Sequence, residues 1–322
     1  MKIILKKVVA CAVLATMFLT SCSKDEDSPI DEGPQNENPV EEPVDAPINP
    51  DFPLSDQSNS GSWVLNPEVS DEFDAAVVDE TKWLIQGRNG EYQSNFRGRP
   101  PSQFSTDNVR LEDGKLKIQT RWEPNYNFSP KTNPNTGEVF ENITTGAVIS
   151  KKQFQYGYME IKCKAADAEV TSSFWTTGRR TSELDMFEMF GGHKTNASWR
   201  KRLKFNMISW DPDNFYYFPN SNGPTHTRNI QADNNTADEF HVYGFDWTPD
   251  YIKVYIDGVL HPNGSVLKTE ITNNGAEAER WVTDVPYWVW FDSETFPWLG
   301  LPEAADLPVD YEIEYLRIWQ KQ

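Results

Sequence analysis

The chain has 322 residues, 13% of them aromatic with twelve tryptophans, and its formal net charge is −19 at pH 7. Such a charge repels a phosphate backbone, which excludes nucleic acid as a principal partner. Three cysteines without a paired spacing and four isolated histidines predict neither a disulfide framework nor a histidine-based zinc site.

The N-terminus has the pattern of an export signal. Lysines precede an apolar run over residues 8–20, which is too short to span a bilayer. The run ends in LTSC, which resembles a bacterial lipobox, so Cys22 is the predicted lipidation site. The acidic residues that follow resemble the signal of lipoproteins displayed on the outer cell surface. We therefore expect an exported, surface-exposed outer-membrane lipoprotein; an ordinary secretory signal with a coincidental cysteine is the alternative.

The next segment is predicted to be a linker. Residues 23–60 contain eleven acidic residues and one lysine and are nearly free of aromatic residues. Such a segment buries too little apolar area to fold, and its like charges extend it. The predicted organisation is a signal peptide over residues 1–22, a disordered acidic linker over 23–60 and one folded domain over 61–322.

Period-two alternation of apolar and polar residues recurs through this domain. It is clearest at residues 115–120, 158–163, 251–256 and 311–318, and turn sequences such as EDG and DG separate the runs. No long helical period is present. The pattern predicts an all-β fold, a jelly-roll β-sandwich of two antiparallel sheets.

Three acidic residues are close together in the sequence ELDMFE. In a strand, Glu183 and Asp185 share one face while Leu184 and Met186 point into the core. Glu188 is one residue out of phase, and a β-bulge after Asp185 would restore it to the acidic face. Two glutamates on that face could approach to roughly 5–5.5 Å, the separation of a retaining glycosidase.

The crowding of these carboxylates suggests their roles. Three adjacent carboxylates cannot all ionise at low cost, so at least one pKa must rise. We predict Glu183 as nucleophile, Glu188 as general acid and then base, and Asp185 as a hydrogen-bonding partner of Glu183. The alternatives are an acidic strand edge that faces solvent and a calcium site.

With its flanks, this segment resembles glycoside hydrolase family 16, in its agarase and porphyranase branch, with the C-type β-agarases as the nearest group. Three other stretches carry the resemblance in family order: residues 154–162, residues 239–258 and the sequence FDSETFPWLGLP at residues 291–302. The resemblance implies a concave cleft and endo-cleavage of β-1,4 linkages in an agar-type galactan. It also implies that catalysis requires no cofactor.

The predicted substrate-binding residues are mostly aromatic or charged. Trp175 and Trp298 are candidate platforms for the apolar faces of sugar rings, and Glu294 is a candidate acceptor for galactose hydroxyls. Where members of this branch often carry histidine, the present chain has none, and Asn206 or Ser209 is predicted to take its place. Five other tryptophans are expected in the core: Trp63, Trp83, Trp247, Trp288 and Trp319.

Arginines supply a second hypothesis about the substrate. Arg97 and Arg179, like their neighbours Arg99 and Arg180, lie near predicted cleft loops, and guanidinium groups match the geometry of sulfate. They would favour porphyran; solvated loop charge is the alternative interpretation.

Family resemblance also implies a structural calcium, for which Glu72 and Glu314 are the nearest matching ligands. The predicted partner is an agar-type polysaccharide, with membrane contact only through the lipid anchor, and the protein is expected to be monomeric. A β-porphyranase, a non-catalytic glycan-binding lipoprotein and a structural adhesin are the competing functions.

Overall fold

The structure, a computed structural model, describes residues 47–178, 182–211, 213, 216–218, 230–273, 281 and 283–321. The predicted signal peptide, the lipidation site Cys22 and most of the predicted linker lie outside these residues. Within them, none of the helices has the length and apolar character needed to cross a membrane.

Strands dominate the described chain. In chain order the first nine are β1 (Trp63–Leu65), β2 (Trp83–Ile85), β3 (Ser102–Phe104), β4 (Val109–Glu112), β5 (Lys115–Trp122), β6 (Ile143–Thr145), β7 (Ala147–Ser150), β8 (Gly157–Lys164) and β9 (Ser172–Gly178). The next nine are β10 (Ser182–Met189), β11 (Arg202–Ser209), β12 (Tyr216–Phe218), β13 (Ile230–Gln231), β14 (His241–Trp247), β15 (Tyr251–Ile256), β16 (Val259–Leu267), β17 (Trp288–Asp292) and β18 (Val309–Lys321). The helices are short: α1 (Ala197–Arg200) and α2 (Lys268–Asn273), with 3₁₀ turns at Leu54–Asp56, Arg88–Gly90, Gln93–Asn95, Thr106–Asn108 and Ala304–Asp306.

These strands form the two sheets of a sandwich. The larger sheet has the order β16-β15-β14-β8-β18-β5-β6-β3, with β1 beside β18 and β4 beside β5. The smaller sheet has the order β12-β11-β10-β9-β17-β7-β2, with β13 beside β11. The pairing is antiparallel except between β3 and β6. The four alternating runs lie in β5, β8, β15 and β18, and the predicted β-sandwich is confirmed.

The core lies between the sheets and is strongly aromatic. Phe187 of β10 packs against Tyr243 and Phe245 of β14, with ring centroids 5.4 and 6.2 Å apart. Phe174 of β9 stacks on Phe291 of β17 at 5.4 Å. Burial of one face of β9, β10 and β17 leaves their opposite face to line a cavity, as alternation along a strand requires.

Residues 47–60 pack against the larger sheet, although their composition assigns them to the linker. The backbone N–H of Leu54 donates to Oε2 of Glu160 at 2.7 Å, and Nε1 of Trp319 donates to the carbonyl of Asp51 at 2.7 Å. Glu160 is only 2% exposed, so the segment satisfies a buried carboxylate. Linker composition does not reveal this, because the partner groups lie more than 100 residues away in the chain.

Candidate active site

The solvent-facing side of the smaller sheet carries a cavity of about 710 Å³. Its floor consists of alternate residues of three neighbouring strands: Ser173, Trp175 and Thr177 of β9, Glu183, Asp185 and Glu188 of β10, and Trp288, Trp290 and Asp292 of β17. This volume lies within the usual range of ligand-binding pockets.

The predicted β-bulge is present and brings the three acids together. Against β11, Asp185 pairs with Asn206 and Glu188 pairs with Lys204, so three steps on β10 match two steps on its partner. Met186 and Phe187 are both fully buried within this irregularity. The extra residue is absorbed on the core side, and Glu188 returns to the face of Glu183 and Asp185.

Glu183 contacts an indole that the sequence did not single out. Nε1 of Trp210, just after β11, donates to Oε2 of Glu183 at 2.9 Å. Burial, together with the charge of Glu188, raises the pKa of Glu183 to about 7 against the opposing effect of the hydrogen bonds from Trp210 and Asp185. The pKa of this carboxyl therefore lies near neutral pH.

Asp185 lies between the two glutamates and is 5% exposed. Burial raises its pKa well above the usual value, and the charges of Glu183 and Glu188 act in the same direction. Nδ2 of Asn206 donates to Oδ2 of Asp185 at 2.7 Å and to Oε2 of Glu188 at 3.0 Å. A protonated Asp185 can donate to Glu183, which favours the ionised form of that glutamate.

Lys204 forms an ion pair with Glu188. Its Nζ donates to Oε2 of Glu188, and the pair lies across neighbouring strands β10 and β11. Trp210 thus contacts Glu183, and Glu183 contacts Asp185. Asn206 bridges Asp185 and Glu188, and Lys204 contacts Glu188. Asn206 is 1% exposed and does not line the cavity, so it contacts the acids rather than the open cleft.

A second acidic pair lies on β17 and the loop that follows it. Asp292 and Glu294 line the same cavity, and burial raises the pKa of both, to well above the usual value for Asp292. Nε of Arg99 contacts Oε2 of Glu294 at 3.4 Å, whereas Oε1 of Glu294 is buried and has no hydrogen-bond partner among the described residues. Asp292 and Glu294 therefore add two buried carboxyls to the wall of the catalytic cavity.

Tryptophans form a layer across the cleft floor. Trp175 stacks on Trp290 with centroids 4.5 Å apart, and its Nε1 donates to Oδ2 of Asp292 at 2.9 Å. The prediction of Trp288 as a core residue is wrong, because its side chain is half-buried and lines the cavity. Trp63, Trp83, Trp247 and Trp319 are buried as predicted.

The remaining predicted binding residues are distributed differently. Trp298 is 64% exposed and lines a second, adjoining cavity. Arg97 lies over the ring of Tyr92 at 4.0 Å and lines neither cavity; Arg99 lines both. Arg179 lies outside the described residues, as does Arg180.

The predicted calcium ligands are both engaged by side-chain cations. Glu72 forms two hydrogen bonds of 2.8 Å with Arg317, and Glu314 pairs with Lys162 at 2.8 Å. Across the described part of the chain, no three His, Cys, Asp or Glu side chains are grouped as a metal site. The donor set does not fit calcium, since each carboxylate already has a positive partner.

Sequence reasoning missed Trp210, Lys204 and Trp290 and gave no role to Asp292. Strand alternation could have found three of them, because Lys204 shares a face of β11 with Asn206, and Trp290 and Asp292 share a face of β17 with Trp288. Trp210 follows the end of its strand, where alternation carries no information.

The match to a known protein family covers the folded domain. Residues 63–320 match the family model described as Beta-porphyranase A-D, GH16 domain. A β-porphyranase E of Zobellia galactanivorans is 30% identical over 264 residues, covering 77% of this chain and 83% of the relative. A β-agarase of Phocaeicola plebeius is 28% identical, with coverage of 65% and 68%.

Solved structures agree on the fold. The structure of β-agarase A from Zobellia galactanivorans superimposes with a TM-score of 0.63 at 22% identity, covering 80% of this chain and 92% of that chain. At this identity the likeness concerns the arrangement of the two sheets. It agrees with the jelly-roll sandwich derived from the alternation pattern.

Proposed function

The chain belongs to glycoside hydrolase family 16, and on this premise we propose that it is an endo-acting, retaining hydrolase of β-1,4 linkages in agar-type red-algal galactans. The observation that carries the proposal is the bulge in β10, which sets Glu183, Asp185 and Glu188 on one cavity-facing side. Paired carboxylates over a cleft are the minimal machinery of glycoside hydrolysis.

In the first step, an oxygen of Glu183 attacks the anomeric carbon and Glu188 protonates the departing glycosidic oxygen. The bond to the leaving sugar breaks, and a covalent glycosyl–Glu183 ester forms. In the second step, Glu188 takes a proton from water, and the water oxygen displaces Glu183 from the same carbon. Two inversions retain the configuration, and the reaction needs no cofactor.

The neighbouring groups suit these roles. Trp210 and Asp185 hydrogen-bond Glu183 and favour its ionised form, which is the nucleophilic one. Lys204 contacts Glu188 and would stabilise the carboxylate that remains after proton transfer to the leaving group. Asn206 holds Asp185 and Glu188 in fixed relation through one amide.

Agarose is the first candidate among these galactans. Among the described residues, five acids line the cavity, namely Glu183, Asp185, Glu188, Asp292 and Glu294, and the one lining arginine, Arg99, is already paired with Glu294. A sulfate ester would have to compete with Glu294 for the Arg99 guanidinium. Porphyran is the second candidate, because the matching family model and the relative at 30% identity are both named for porphyranase.

We further propose that the enzyme is a monomeric lipoprotein on the outer cell surface. Support comes from the lipobox-like sequence at Cys22 and the acidic residues after it. Polymeric galactan cannot cross an outer membrane, so an endo-acting enzyme has to meet it outside. A single lipid anchor followed by an extended acidic segment would hold the domain near its substrate.

Release of reducing ends from agarose, porphyran, laminarin and κ-carrageenan, assayed side by side, tests the function. We expect agarose or porphyran to be the best substrate, with oligosaccharides of several lengths among the early products, as endo-cleavage requires. A clear preference for laminarin or carrageenan would refute the proposed substrate class.

The variant Glu183→Ser separates an enzyme from a glycan-binding protein. We expect turnover to fall by several orders of magnitude while oligosaccharide binding persists, since only the nucleophile is removed. Equal activity of the variant and the wild type would exclude Glu183 as the nucleophile. A protein that binds the glycan but yields no products in either form would be the non-catalytic lipoprotein.

A further inference from the structure

A second cavity of about 670 Å³ adjoins the catalytic one. The two share four lining residues, Ser94, Phe96, Arg99 and Trp210, so they are continuous around the Arg99 side chain. We call the second cavity the side chamber. The carboxylates of β10 do not line it.

One wall of the side chamber is the hairpin of residues 131–140. Its ends are joined by the hydrogen bond from Phe140 N to Lys131 O at 2.9 Å, and its tip by that from Asn133 N to Glu138 O at 2.8 Å. Phe140 is fully buried beneath it. The hairpin is therefore anchored to the domain, and its tip residues Asn133, Asn135 and Thr136 face the chamber as a fixed wall.

The hairpin is also tied to the segment that carries Arg99. Glu141 N donates to Pro101 O at 2.9 Å, and Gln103 holds Ser129 and Pro130 through its side-chain amide, with distances of 3.1 Å to each. The hairpin and the Arg99 guanidinium are thus positioned by the same stretch of chain. Hydrogen bonds therefore define the shape of the side chamber.

Trp298 also lines the side chamber. Its ring packs on Phe296 with centroids 4.6 Å apart and lies 5.2 Å from the Arg99 guanidinium, yet 64% of the residue is exposed. An exposed indole held by a neighbouring ring and a cation offers a rigid apolar surface. The C–H face of a sugar ring is a natural ligand for such a surface.

The chemistry of the lining distinguishes the chamber from the catalytic cavity. Its charged residues are Arg99 and the exposed Glu138, in contrast to the five acids of the catalytic cavity. Amide side chains such as Asn133 and Asn135 both donate and accept hydrogen bonds, as sugar hydroxyls require. An aromatic platform with uncharged polar groups indicates a carbohydrate ligand.

We propose that the side chamber is a second saccharide-binding site, which holds units of the galactan chain beyond those over the carboxylates. This inference rests on the proposed function, because continuity with the catalytic cavity is what makes the same polymer its ligand. It predicts a substrate-length dependence: short oligosaccharides leave the chamber empty, and longer ones gain affinity from it.

The test compares substrates of increasing length, from tetra- to dodecasaccharide, made from the polysaccharide that the wild type cleaves best. Trp298→Ala and the double variant Asn133→Ala/Asn135→Ala should lower kcat/KM for the longest substrate about tenfold more than for the tetrasaccharide, since tenfold corresponds to ~1.4 kcal/mol of lost binding. Trp122→Ala is the control, because Trp122 is also exposed but lines neither cavity.

Binding supplies an independent readout. In the Glu183→Ser background, the same substitutions should weaken binding of the dodecasaccharide and change that of the tetrasaccharide much less. An equal loss at every length, or none at any, would overturn the side-chamber proposal.

If laminarin proves to be the substrate, the proposed galactan specificity fails, and the chamber proposal is decided by the same length series made from laminarin. A chain that neither cleaves nor binds any glycan would overturn both proposals.

Discussion

Nε1 of Trp210 donates a hydrogen bond of 2.9 Å to Oε2 of Glu183. The indole is 49% exposed and lines both the catalytic cavity and the side chamber. A hydrogen bond to the ionised carboxylate lowers its pKa and fixes its orientation, while burial acts in the opposite direction. Trp210 is therefore a positioning residue for the proposed nucleophile.

Trp210→Phe retains an aromatic ring but removes the indole N–H. We expect kcat/KM to fall about tenfold to hundredfold, the range for loss of one hydrogen bond to a charged group. The acidic limb of the kcat/KM profile, expected near the Glu183 pKa of about 7, should move to higher pH because the ionised form has lost a donor. Trp122→Phe should leave the profile in place. An acidic limb that does not move in Trp210→Phe would contradict the positioning role.

Assignment of the two glutamates is tested by stereochemistry and rescue. Proton NMR of the first products should show the β-anomer before mutarotation, as double displacement requires. Glu188→Ala should lose most activity on the polymer, and added azide should restore turnover of an activated aryl glycoside, since azide needs no general base. Initial formation of the α-anomer would exclude Glu183 as a covalent nucleophile.

Four carboxyls at the catalytic cavity should make stability depend on pH in the opposite sense to ordinary acid denaturation. Burial raises the pKa of Glu183, Asp185, Asp292 and Glu294, so the folded state holds more protons than the unfolded chain above the usual carboxyl pKa; for Glu183 this window runs from pH 4.5 to about 7. The contribution of these groups to the free energy of unfolding is fully present below that window and falls as pH rises through it.

Thermal unfolding of the wild type and Glu183→Gln at several pH values measures this contribution. The amide cannot ionise, so the variant should gain in Tm relative to the wild type as pH rises from 5 to 8. A Tm difference that stays constant or reverses over this range would show that burial does not raise the Glu183 pKa.

The folded domain should require residues 47–60. A chain beginning at residue 61 lacks the Leu54 donor to buried Glu160 and the Asp51 acceptor of Trp319. We expect its free energy of unfolding to be about 2–4 kcal/mol lower than that of a chain beginning at residue 47. Urea denaturation of the two chains provides the comparison. Equal midpoints would show that residues 47–60 do not stabilise the domain and belong to the linker.

Calcium removal should leave the domain unchanged. Both oxygens of Glu72 accept from Arg317, and Glu314 is paired with Lys162, so a cation would have to break existing ion pairs. We expect the same Tm in EDTA and in excess calcium. A fall of several degrees in EDTA would establish a calcium site with other ligands.

Much of the site follows from local sequence. Glu183, Asp185 and the buried Leu184 and Met186 obey the two-residue period of a strand, and the phase of Glu188 predicted the bulge before any partner strand was known. The sequence also determined the all-β class. The alternation of apolar and polar residues is visible along a single strand, whichever strands pair with it.

Tertiary structure alone decided which side chains surround those acids. Arg97 and Arg99 are two residues apart in the same loop, yet only Arg99 reaches Glu294 and lines the cavity, because the loop packs against a segment nearly 200 residues away. Trp210 likewise meets Glu183 through the pairing of β10 with β11. Alternation states which residues share a face; only the pairing of distant strands determines which face is covered by the core and which groups meet over the open one.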